Sequence, residues 1–83
     1  MDKILIKLYI PCLNMSYELF VPKDKKIIEC LSEIEKAIIE LSDDYFSFKN
    51  APILVNSENG FIYNINYTFQ ENQIENGTII TLI

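Results

Sequence analysis

Cys12 and Cys30 are the two thiols of the chain, and no histidine accompanies them. A thiol becomes a nucleophile when a neighbouring base or cation draws off its proton. Without histidine, neither a Cys–His nor a Ser–His pair can be assembled, and a histidine-ligated metal site is excluded. Lys7 is the best cation to set beside Cys12, which reads as an inert thiol; Cys30 reads as a small apolar residue. Two cysteines make no disulfide framework and read as reduced thiols. Asp43-Asp44 and the pair Glu29 and Glu33, one helical turn apart, suggest an acid–base pair or a cation site. A hard cation wants roughly six or more converging oxygens, and no loop here supplies them, so these carboxylates read as a solvated face. Gly60 and Gly77 are isolated turn glycines rather than a phosphate-cradling loop. The expectation is a protein that is not an enzyme and that holds no metal or cofactor.

Charge narrows the partners. The chain of 83 residues carries 7 Lys+Arg against 12 Asp+Glu, a net charge of −5, and every one of the cations is lysine. An acidic chain without arginine forks argues against nucleic acid. A hydrophobic fraction of 49% with 23% charged residues is a globular composition. The length predicts a single domain over residues 1–83. No apolar run approaches a signal segment or a membrane span, so a cytoplasmic protein without membrane insertion is expected, a monomer or weak oligomer.

The remaining residues must come from the elements that place them. Residues 3–10 alternate, with Ile4, Ile6, Leu8 and Ile10 on one face and Lys3, Leu5, Lys7 and Tyr9 on the other, which predicts a half-buried strand. Pro11 ends it, and residues 16–21 form a second strand with Tyr17, Leu19 and Val21 opposite Glu18 and Phe20. The short connection implies an antiparallel hairpin. Asp24 is the expected N-cap of a helix over about residues 25–41, whose apolar stripe is Ile27, Leu31, Ile34, Ile38 and Leu41. Residues 42–51 carry Asp43, Asp44, Tyr45, Phe46 and Phe48, either an acidic-aromatic docking loop or aromatics tucked under the helix end. A third strand over residues 53–56, a turn at Glu58-Asn59-Gly60, a short strand over residues 61–63 and a single 3₁₀ turn near residues 68–72 follow. Asn76-Gly77 is a second tight turn, and residues 78–83 form the last strand.

A helix with one apolar stripe must lie across a sheet. A right-handed crossover sets the third strand beside the hairpin, with the last strand between strands one and three. This is an α+β, β-grasp arrangement: a mixed sheet of four to five strands with one helix packed across it. The segment Thr68-Phe69-Gln70-Glu71-Asn72-Gln73-Ile74-Glu75-Asn76-Gly77-Thr78-Ile79-Ile80-Thr81-Leu82-Ile83 resembles the closing segment of ubiquitin-like domains. Phe69 stands for the turn's apolar residue, Ile74 for the buried isoleucine, and Ile80 and Leu82 for the inward residues of the final strand. Gln70-Glu71 replaces the Ser-Asp of that turn. The Asn-Gly before the final strand resembles the small bacterial YukD/EsaB group, which accompanies type VII secretion systems as accessory or regulatory components.

The resemblance aligns Ile53 and Val55 inward and Leu54 outward. With the alternation of the outer strands, Leu5, Leu54, Ile79 and Ile83 are then expected together on the open face of the sheet, with Lys7 at their edge. Ubiquitin uses an apolar patch on this same face, where Leu54 and Ile83 match its positions on strand three and the final strand. The expected function is a protein-interaction module of a secretion system. The competing reading is a protein modifier conjugated through its C-terminus; such modifiers and the related sulfur carriers usually end in Gly-Gly beyond the last strand, whereas this sequence ends at Ile83.

Overall fold

Alternation of aliphatic and polar residues sets the first strand. In the computed structural model, which describes residues 2–42 and 52–83, strand β1 is Lys3–Ile10, with Ile4, Ile6, Leu8 and Ile10 buried. After Pro11 the chain reverses: Leu13 N–H donates to the Ile10 carbonyl at 3.1 Å and Asn14 N–H to the Pro11 carbonyl at 3.0 Å. Asn14 takes φ 52, a left-handed conformation that asparagine tolerates better than most residues. Strand β2, Met15–Pro22, returns antiparallel with Ile4 opposite Val21 and Leu8 opposite Tyr17.

Helix α1 spans Ile27–Ser42. It starts later than Asp24 predicts. Lys26 occupies the cap position: its N–H donates to Glu29 Oε1 at 3.2 Å, while Ile27 and Ile28 N–H donate to the carbonyls of Tyr67 (3.0 Å) and Ile65 (2.9 Å). Two loop carbonyls thus satisfy first-turn donors, the role expected of the Asp24 carboxylate. The buried line is Ile27, Cys30, Ile34 and Ile38, with Leu31 and Ile39 half-buried beside it and Leu41 55% exposed. The contact stripe is therefore rotated from the expected one toward Cys30. Residues 43–51, with the acidic-aromatic run Asp43, Asp44, Tyr45, Phe46 and Phe48, lie outside the described residues.

Strand β3 is Leu54–Asn56 and strand β4 is Thr78–Leu82. The sheet order is β2-β1-β4-β3, with β1 and β4 parallel and the other pairs antiparallel. The last strand lies between strands one and three, as expected. The short strand expected at residues 61–63 is one bridge between Val55 and Ile62, so the sheet has four strands.

The phase of β3 is a correction. Leu54, expected on the open face, is 1% exposed and lies opposite Leu82 in the core; Ile53, expected inward, is 46% exposed, and Val55 is half-buried. Residues 53–55 are three consecutive aliphatics, so nothing local chooses their face. The ladder with β4 decides it, because paired residues share a face and Leu82 points inward with Ile80.

The connection from β3 to β4 folds by side-chain hydrogen bonds. Thr68 and Glu71 form a reciprocal box: Glu71 N–H donates to Thr68 Oγ1 and Thr68 N–H to Glu71 Oε1, both at 2.9 Å. Glu71 thereby does the work expected of the missing Ser-Asp. The turn closes as Gln73 N–H donates to the Gln70 carbonyl and Ile74 N–H to the Phe69 carbonyl, with Gln73 at φ 61. That is the two-bond helix stop of the Schellman type rather than a 3₁₀ turn, and it drives Phe69 and Ile74 into the core. Asn76 Oδ1 then accepts from Leu5 N–H at 2.7 Å and Gly77 N–H donates to the Leu5 carbonyl at 2.8 Å, which starts β4 beside β1. Gly77 takes φ 86, where a side chain is strained.

Candidate protein-docking face

Helix α1 covers one face of the sheet and leaves the other open. Cross-strand registers lay out that open face as a lattice. Leu5 lies opposite Phe20; Lys7 lies between Glu18 on β2 and Ile79 on β4; Tyr9 lies between Ser16 and Thr81. Thr81 pairs with Val55, and Val55 bridges to Ile62. Beyond β4, Ile53 and Ile83 exchange both backbone hydrogen bonds, at 3.2 and 2.9 Å, so their side chains share this face.

Two apolar corners result. Phe20 (69% exposed) and half-buried Leu5 make one. Ile53, Val55, Ile62 and Ile83 make the other, with Ile83 71% exposed. Ile79 lies between them beside Lys7. The polar residues of the face partly satisfy each other: the hydroxyls of Ser57 and Thr81 are 2.7 Å apart, and Tyr9 Oη donates to Asn14 Oδ1 at 3.4 Å. The face offers apolar contact with one central ammonium and no converging set of reactive groups.

Of the residues expected to form the patch, Leu5, Lys7, Ile79 and Ile83 share this face, and Leu54 does not. Val55 takes the place assigned to Leu54. Phe20, Ile53, Val55 and Ile62 were missing from the expected set. The alternation of β2 already turned Phe20 outward; Ile62 had no such signal, because its place depends on the bridge to Val55.

The thiols are separated by burial. Cys12 is exposed in the hairpin loop and Cys30 is buried. Burial pushes the Cys30 thiol up, with Glu33 adding and Lys25 opposing, the reverse of what activates a nucleophile. Tyr63 is pushed up by burial as well, partly offset by the hydrogen bond it accepts from Asn56 Nδ2 at 3.0 Å. No group of three or more potential metal ligands gathers among the described residues, and no described helix is long and apolar enough to cross a membrane.

No protein-family model and no curated protein sequence matches the chain. Solved structures do. The ubiquitin-like domain of the Mycobacterium tuberculosis type VII secretion system protein ECCD1 superposes with a TM-score of 0.79 at 11% identity, over 100% of this chain and 99% of that one. The EccD5 ubiquitin-like domain of Mycobacterium xenopi gives 0.74 at 10% identity, over 100% and 97%. A ubiquitin-like domain of an Arabidopsis thaliana protein gives 0.66 at 15%, over 100% and 78%. At such identities the likeness speaks to the path of the backbone. The chain has the ubiquitin-like fold, one mixed four-stranded sheet with a helix packed across it.

Proposed function

We propose that this protein is a non-catalytic interaction module that docks another protein through the open face of its sheet. Its setting in this reading is a bacterial type VII secretion system, as a cytoplasmic accessory or regulatory component of the YukD/EsaB kind. The observation that carries the docking is the apolar set on adjoining strands of the open face, exposed Ile53, Ile62, Ile79 and Ile83 with half-buried Leu5 and Val55, around a central ammonium, Lys7. Apolar residues gathered in this way on one face mark interaction sites more often than scattered ones do. The setting is supported by the likeness to the ubiquitin-like domain of the type VII secretion system protein ECCD1, over 99% of that domain, and to the EccD5 ubiquitin-like domain, over 97%.

Covering roughly 200–300 Å² of apolar surface is worth about 5–8 kcal/mol gross at about 25 cal/mol per Å². Association entropy takes much of this, so the face alone should bind in the micromolar range. Lys7 adds a small, salt-sensitive preference for acidic neighbours. The test is affinity capture from extract of cells that run a type VII system, with wild type, Ile79→Asp and Val55→Asp, each checked for fold by circular dichroism. The expected result is loss of secretion-system partners by both folded variants. Recovery of the same partners by folded Ile79→Asp and Val55→Asp would show that another surface binds.

A further inference from the structure

The segment that returns along β3 encloses a cleft of about 580 Å³, and none of the residues lining it belongs to the apolar docking set of the open face. Ligand pockets commonly measure about 300–1,000 Å³. The rings of the cleft are Phe61, Tyr63 and Tyr67. Phe61 and Tyr63 flank Ile62 and meet edge to face, with ring centroids 5.7 Å apart and planes at 72°. Phe61 is 57% exposed and Tyr67 53%, whereas Tyr63 is buried. The backbone behind the rings is held. Tyr63 N–H donates to the Leu54 carbonyl at 2.9 Å, and the Tyr67 carbonyl accepts from Ile27 N–H at 3.0 Å. Asn72 clamps the loop: its Oδ1 accepts from Asn64 N–H at 3.0 Å, and its Nδ2 donates to the Asn64 and Thr68 carbonyls, both at 2.9 Å.

Four asparagines line the cleft, and each turns its side-chain carbonyl onto backbone. Asn56 Oδ1 accepts from the N–H groups of Glu58 (2.8 Å) and Asn59 (3.2 Å), Asn59 Oδ1 from Phe61 N–H (2.9 Å), and Asn64 Oδ1 from Asn66 N–H (2.9 Å). Asn72 Oδ1 is on Asn64 N–H already. These backbone donors fix which way each amide points. Asn56 Nδ2 donates to Tyr63 Oη at 3.0 Å, which leaves the phenol's own proton to donate outward. Burial raises that phenol, with Asn56 opposing and Glu58 adding, so it keeps its proton. Among the described residues, the amide nitrogens of Asn59 and Asn64 and the Tyr67 hydroxyl meet no protein acceptor. The cleft therefore presents rings and donors. Its remaining side-chain acceptors are Glu71, whose Oε1 already takes Thr68 N–H, and Gln73, whose amide can present either end. No lysine lines it, so a phosphate or other anion finds no counter-charge.

An ordinary extended segment brings a backbone N–H with every carbonyl, and in this cleft those donors would meet donors. A proline brings the carbonyl alone. Proline-rich chain takes the polyproline II helix, which has no internal hydrogen bonds, leaves its carbonyls free and loses little entropy on binding. Its pyrrolidine rings are apolar and suit exposed aromatic faces. We propose that this cleft binds a proline-rich segment of a partner protein, with proline rings on Phe61 and Tyr67, carbonyls on the Asn59 and Asn64 amides and the Tyr63 and Tyr67 hydroxyls, and a lysine or arginine of the segment beside Glu71. A neutral saccharide also suits rings and amides, but its hydroxyls donate as well as accept, and the cleft has few acceptors to receive them. The cleft and the open-face docking set share no residue, so the two readings fail separately.

The probes are short, end-capped oligoproline peptides: unflanked, with a terminal pair of lysines, with a terminal pair of glutamates, and with alternate prolines replaced by alanine. They are titrated into the isotope-labelled protein and followed by amide NMR. The expected result is micromolar binding that shifts the backbone amides of Phe61 and Tyr67 and the side-chain amides of Asn59 and Asn64. Lysine flanks should bind about fivefold tighter than glutamate flanks, and Glu71→Gln, which keeps an oxygen for Thr68 N–H, should remove that preference. Alternate alanines, which restore N–H groups and loosen the helix, should weaken binding by about tenfold. Asn59→Asp and Asn64→Asp keep the oxygen that holds the turn and replace the donor by an acceptor; each should weaken the unflanked peptide by about tenfold. Tyr67→Ala should weaken it at least as much, and Tyr67→Phe, which keeps the ring, by less. Ile79→Asp should leave it unchanged. The proposal is overturned if no proline peptide moves these groups at millimolar concentration, or if the alanine-interrupted peptide binds equally well. Full affinity in Tyr67→Ala or in both folded Asp variants overturns it too, as do shifts at these groups with maltotriose and none with the proline peptides.

Discussion

Leu54→Ala and Val55→Ala, compared side by side, test the phase of β3, on which the composition of the open face depends. Leu54 is 1% exposed and faces Leu82, itself buried; Val55 is half-exposed and faces Thr81. Truncating a buried leucine removes its transfer energy and leaves a cavity, about 2–5 kcal/mol together. Truncating Val55 on the open face should cost less than about 1 kcal/mol. A domain of this size has roughly 4–12 kcal/mol in total, so the first change is a large fraction of the whole. With a urea slope of about 1–1.5 kcal/mol per M, Leu54→Ala should lower the unfolding midpoint by roughly 1.3–5 M, and Val55→Ala by less than about 1 M. Leu54→Asp should leave the chain unfolded in water, because it buries an unpaired carboxylate. The assay is urea unfolding followed by far-ultraviolet circular dichroism. If Val55→Ala lowers the midpoint by molar amounts and Leu54→Ala does not, β3 is slipped by one residue and Leu54 belongs to the docking face after all.

Two further outcomes follow from the backbone and the thiols. Gln73→Gly should raise stability by about 0.5–1 kcal/mol, since Gln73 holds φ 61 at a helix stop where glycine escapes the strain at some cost in unfolded-state entropy; an unchanged or lower urea midpoint would argue against strain at that position. Burial raises the Cys30 thiol, with Glu33 and Glu29 adding and Lys25 opposing, so the unfolded chain ionises first as pH rises. That contribution is complete below the ordinary thiol value of about 8.5 and is lost as pH climbs past it. Cys30→Ala should therefore flatten the fall of the urea midpoint between about pH 8 and 10, leaving the later loss due to buried Tyr63; parallel curves for the two proteins would contradict this.

Periodicity was legible where polar residues mark the phase. β1 alternates Lys3, Lys7 and Tyr9 against isoleucines and leucine, and its bounds and faces came out as read. The sheet order followed from chain connectivity and handedness. Phase was lost where apolar residues run together. Ile53-Leu54-Val55 has no polar member, and only the partner strand orients it. On α1, Ile27, Ile28, Cys30, Leu31, Ile34, Ile38, Ile39 and Leu41 span more of the circumference than the sheet covers, so several stripes fit the sequence. Cys30 won over Leu31 because tertiary contact, not hydrophobicity, selects among them. The Thr68–Glu71 box is not visible in Gln70-Glu71 taken as a replaced pair, because the motif joins the first and fourth of the four residues from Thr68.

The position of β4 explains why the two sheet edges differ in what they offer. Inserting the last strand between β1 and β3 leaves β2 and β3 as the edges. β3 is short, and its outward backbone groups are already used: Asn56 N–H donates to the Phe61 carbonyl at 2.8 Å, and the Leu54 carbonyl accepts from Tyr63 N–H at 2.9 Å. The segment that follows β3 folds back to blunt it. β2 is followed by Lys23 and the turn into α1, so the chain leaves its edge and crosses the covered face instead of returning along it. Its donors and acceptors at Ser16, Glu18 and Phe20 find no such cover among the described residues. Connectivity alone thus makes the two edges unequal: the backbone of β3 is covered by the segment that follows it, and that of β2 is not covered by any described segment.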